Sequence, residues 1–138
     1  TAKEGYQFHA IPHYQYTYDC FRQPTHLEHF ISDFSEKMNR TDTSHRHDYI
    51  QSAIVKHGWQ KSFHEKYPVE YPYMHFHVFN EHNTQALFSY MFEDVSTELL
   101  KTEKFSDIVV LFRNQLRKKF LEKHQKTIDW YISTGFHI

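Results

Sequence analysis

The residues with the clearest capacity for chemistry are His75 and His77, two positions apart, with Glu81 four residues further on. In an extended segment, residues i and i+2 project to the same face with Cα atoms roughly 6.6 Å apart, at about 3.3 Å per residue. Two imidazoles so placed can close on one divalent cation, because Zn–N bonds are only about 2.0–2.1 Å long. Glu81 would lie roughly 13 Å beyond His77 on a straight strand and becomes a third ligand only if the chain bends at Asn80. A His-x-His pair with a carboxylate suits Zn, Mn or Fe. The plainer reading needs no metal: two imidazoles on the solvated side of a strand. His26 and His29, one helical turn apart, are a second possible pair. His9 and His13 have a similar spacing, but Pro12 disfavours a helix between them.

Other routes to chemistry are thinly represented. Cys20 is the lone cysteine, which excludes an intrachain disulfide and a cysteine-rich zinc site. With a nearby histidine it could act as a nucleophile, but beside aromatic strand residues it reads as a small buried hydrophobe. There is no Gly-x-Ser-x-Gly elbow and no glycine-rich phosphate cradle. Arg113, Arg117, Lys118, Lys119, Lys123 and Lys126 give the C-terminal segment a basic flank, read as a solvated helix face. The net charge of -1 offers no global footprint for nucleic acid or anionic membrane. With 13 His, mild acidification would turn the molecule positive, which motivates a pH-switch reading.

The His-Phe-His triplet 75–77 invites comparison with three families. The cupin motif shares the His75, His77, Glu81 spacing but needs flanking glycines that are missing here. Histidine-triad hydrolases need a histidine at position 79, which is Phe79. The His-hydrophobic-His single-strand DNA nickases and transposases resemble the chain better. Their pair sits on a central strand of a small α+β sheet, with a nucleophilic tyrosine on a later helix. The resemblance would give that role to Tyr131 and make the metal a cofactor for phosphodiester cleavage. The chain departs from the pattern in having no Gln, Asn or Lys ligand within a turn after Tyr131.

The 138 residues that must carry these groups make one domain's worth of chain, read as a single globular domain over 1–138. An aromatic share of 18% supplies apolar surface enough to offset ordering entropy, and only 3 Gly and 4 Pro favour long regular elements. Period-2 patterns predict strands near 13–21 (Tyr14, Tyr16, Tyr18 on one face) and 71–79, with 48–56 open between strand and helix. Stripes of period 3.6 predict helices near 25–39, 84–101 and 106–133. Asn83 or Thr84 caps the second of these and Ser106 the third. The result is an α+β fold, predominantly helical, with a small sheet covered by helices on one face.

The leading functional expectation is a non-catalytic interaction, structural or regulatory protein. It would act through an aromatic and His-rich surface, as a homo-oligomer or with a protein partner, with Trp59 and Trp130 as candidate anchors. The alternative is a metal-dependent enzyme built on His75, His77 and Glu81. The longest apolar run, Ile108–Phe112, is far too short to span a bilayer, so no membrane is expected. With one cysteine and no secretory leader pattern, the expected setting is cytoplasmic.

Overall fold

The computed structural model describes residues 5–38, 48–52 and 77–135. Its elements in chain order are β1 (Tyr6–Pro12), a 3-10 turn (Tyr14–Tyr16), α1 (Leu27–Ser35), a helical stretch over 48–52, α2 (Glu81–Met91), β2 (Ser96–Lys101), β3 (Ser106–Arg113) and α3 (Lys118–Ser133). The strands form a small antiparallel sheet in the order β1-β3-β2, and helical residues outnumber strand residues among those described. The α+β class is therefore what the sequence patterns imply.

Several elements lie elsewhere than the patterns place them. The first strand precedes 13–21: β1 ends at Pro12, and the alternating tyrosines sit in and around a turn. That turn is set by His13, whose Nδ1 accepts a hydrogen bond from the Gln15 amide at 3.3 Å. The signal of β1 is faint because its outward set (Tyr6, Phe8, Ala10) is apolar while Gln7 and His9 share the opposite face with Ile11. Helix α1 is shorter than 25–39 and stops at Ser35, with Lys37 in the left-handed region at φ 58°. Within 48–56, residues 48–52 are helical and 53–56 lie outside the described residues. Of the predicted strand 71–79, residues 71–76 lie outside the described residues, and 77–79 form a non-repetitive segment leading into α2.

The two C-terminal helices expected at 84–101 and 106–133 each divide into a strand and a helix. Helix α2 begins earlier, at Glu81, because Asn80 caps it: Asn80 and Asn83 exchange side-chain-to-amide hydrogen bonds at 2.8 and 2.9 Å. It ends at Met91, where Phe92 turns extended and Asp94 adopts φ 51°, and the chain then returns as β2. Ile108–Phe112 is a short apolar run that a strand and a buried helix both display. Here it is a strand: Ile108, Val110 and Phe112 are at most 2% exposed, alternating with more open neighbours. The later part of the stripe is helical, and α3 buries Phe120, His124 and Ile128.

The core lies between the inner sheet face and the helices. Phe88 and Phe92 pack on Phe112, with ring centroids 5.2 and 4.3 Å away. Helix α1 joins the group through Phe34, stacked on Tyr131 of α3 at 5.1 Å and facing His124 at 5.6 Å. Among the described residues no helix is long and apolar enough to cross a membrane.

Candidate functional site

His77 is positioned by a knot of hydrogen bonds at the head of α1. The Thr25 amide donates to the Val78 carbonyl at 3.0 Å, and the Val78 amide donates back to Thr25 Oγ1 at 2.8 Å. Asn83 Nδ2 donates to the carbonyls of Val78 (2.7 Å) and Thr25 (2.9 Å), so the residue that completes the α2 cap also fastens this segment to the start of α1. Val78 is 2% exposed, and burying it leaves its neighbour to turn toward α1. There the His77 ring lies 4.7 Å from Phe30, and its Nε2 is 2.8 Å from Asp33 Oδ2. The same carboxylate oxygen is 3.3 Å from His29 Nε2, one helical turn before it. His29, Asp33 and His77 thus bring three donor atoms within 4.8 Å of one another.

The predicted trio is divided. His75 lies outside the described residues. Glu81 does not join His77: it is the first residue of α2 and meets His13, Nε2 to Oε2 at 3.1 Å. Since His13 Nδ1 accepts from the Gln15 amide, Nε2 carries the proton and donates to the carboxylate. A bond from its own backbone amide holds the Glu81 carboxyl below the usual range, helped by His13 and partly opposed by burial. Asp33 is the residue sequence reasoning missed. Its signal was available, since His29 and Asp33 are four apart on a helix and therefore share a face. His26 stands at the α1 N-cap position, and His9 stacks on Phe112 at 5.5 Å.

Tyr131, the nucleophile implied by the nickase resemblance, packs between α1 and α3, and its hydroxyl donates to the Phe34 carbonyl at 3.4 Å. Burial, with the Asp33 charge nearby, raises its pKa, the opposite of what a phenolate nucleophile requires. The basic flank is partly engaged within the molecule: Arg117 Nε donates to the Phe92 carbonyl at 2.8 Å, and Arg113 pairs with Asp94 at 2.6 Å. Trp130 is 39% exposed with Lys37 Nζ 4.9 Å from its ring; Trp59 lies outside the described residues.

The second candidate surface is the outer face of the sheet. Residues opposite one another in an antiparallel ladder share a face. The register therefore aligns Tyr6 with Arg113, Phe8 with Leu111 and Ser96, Ala10 with Val109 and Glu98, and Pro12 with Asp107 and Leu100. A solvated face of such a sheet is ordinarily polar. This one leaves Phe8 74%, Tyr6 58%, Leu100 53% and Leu111 41% exposed. Comparison with known proteins finds no counterpart: no family model, no curated protein and no solved structure matches the chain.

Proposed function

We propose that this protein is a non-catalytic subunit that works by surface contact, and that the apolar outer face of its sheet packs on the same face of a second copy. The observation that carries the reading is the cross-strand row of exposed Phe8, Leu111 and their neighbours, where a solvated sheet would present polar side chains.

The register supports a second copy as the occupant. A two-fold axis between stacked sheets, perpendicular to the strands and level with Val110, reverses each strand onto itself. Phe8 then covers Ala10 of the second copy, Tyr6 covers Pro12, and Leu111 covers Val109, large against small in each row. Arg113, which also pairs with Asp94 of its own chain, comes over Asp107 of the second copy, opposite charges at both ends of the interface. An axis along the strands would instead stack Arg113 on Arg113, so charge selects the first arrangement.

Sedimentation across a concentration series tests this. The wild type is expected to dimerise. Arg113→Asp or Asp107→Arg alone should weaken the dimer, and the double charge swap should restore it. A chain that remains monomeric throughout, or a swap that restores nothing, overturns the reading.

A further inference from the structure

We infer that His29, Asp33 and His77 form a binding site for one divalent first-row cation, Zn2+ foremost, independent of the sheet face. Two ligands come from one helix: His29 and Asp33 are four apart in α1 and project from the same side. The third arrives from the segment 77–80, which the Thr25, Val78 and Asn83 hydrogen bonds fasten against the head of α1. The site is therefore assembled by the fold, with both contributing segments held by contacts other than the ligands' own.

The geometry fits such an ion closely. A tetrahedral Zn2+ with bonds of about 2.0–2.2 Å sets its donors roughly 3.4 Å apart. Asp33 Oδ2 is 3.3 Å from His29 Nε2 and 2.8 Å from His77 Nε2, and all three donors fall within 4.8 Å. The His29–Asp33 pair already matches that spacing, the His77–Asp33 pair must open by about half an ångström, and the two imidazoles close on the ion by rotation of their rings. The two imidazole planes are 74° apart with centroids 5.9 Å apart, so both ring edges converge on the carboxylate instead of stacking.

The donor set is as informative as the distances. Two histidines with one carboxylate are borderline ligands that prefer Zn2+ and Fe2+ to Ca2+ or Mg2+. Asp33 has a side chain only 12% exposed, so a cation here is screened less by water than at an open surface. His29 lines a cavity of about 510 Å³ that also includes Arg22, His26 and Gln51. His77 lines another of about 300 Å³ with Tyr14 and Phe79.

The test is zinc binding by the tag-free chain after chelator treatment, read by competition with a chromophoric zinc indicator. One Zn2+ per chain is expected at micromolar indicator affinity. Asp33→Asn and His77→Ala should each weaken binding by about tenfold or more, while His82→Ala, at an 88% exposed side chain outside the cluster, should leave it unchanged. Circular dichroism accompanies each variant. If His77→Ala does not fold, His29→Ala, at a 44% exposed side chain on α1, must show the same loss. Absence of stoichiometric binding, or binding indifferent to His29→Ala and Asp33→Asn, overturns the assignment.

Discussion

His124 shows how one side chain can tie stability to pH. It is 5% exposed, its Nε2 lies 2.6 Å from the Tyr90 hydroxyl, and Phe34 and Phe120 surround the ring. Burial, aided by the Lys123 charge, lowers its pKa from the ordinary value near 6.5. The unfolded chain therefore takes up a proton at His124 before the folded chain does. Its contribution to stability is full above the unfolded pKa and falls as pH drops below it, through the folded pKa. Urea midpoints at pH 7.5 and 5.5 should fall less in His124→Gln, which keeps an acceptor for Tyr90 but cannot titrate. An equal fall in both proteins would remove His124 as the cause. The same residue marks a limit of pattern reading: it belongs to the α3 stripe, yet its hydroxyl partner is 34 residues away.

Among elements, α2 does more than fill a layer. Its N-terminus is where Asn80 and Asn83 cap each other and where Asn83 reaches the carbonyls of Thr25 and Val78. Asn83→Ala removes half of the cap and both tethers, whereas Asn80→Ala removes only the other half of the cap. Loss of a cap costs about 1 kcal/mol, and each further hydrogen bond lost adds about 1 kcal/mol. Asn83→Ala is thus expected to lower stability by about 2 kcal/mol or more, and Asn80→Ala by about half that, in paired denaturation curves. Hydrogen exchange at the Val78 amide should accelerate in the first variant more than in the second. Equal effects would mean that the tethers contribute nothing. In the sequence, Asn83 or Thr84 reads as the cap; Asn80 holds that position in the structure, and Asn83 acts from inside the first turn.

For the molecule as a whole, the proposed self-association would have a thermodynamic consequence. Binding restricted to the folded state raises the unfolding midpoint with concentration. The wild-type midpoint should therefore climb as protein is concentrated, while Phe8→Lys should flatten that dependence. At low concentration the two proteins should melt within about 0.5 kcal/mol of each other, because an exposed side chain contributes little within one chain. Phe8 is 74% exposed, so a large loss at low concentration would point to packing within the chain instead.

The α+β class, the helical character of Leu27–Ser35 and Lys118–Ser133, and the prominence of His77 were legible from the residues alone. These depend on periodicity and residue type, which are local properties. That Ile108–Phe112 pairs as a strand follows only from the fold, since its apolar run satisfies either a buried helix or a sheet until a neighbour offers hydrogen bonds. So do the meetings of Glu81 with His13, 68 positions earlier, and of His77 with Asp33 across 44 positions. Such pairings follow from which segments the core presses together, and that information is distributed over the whole chain.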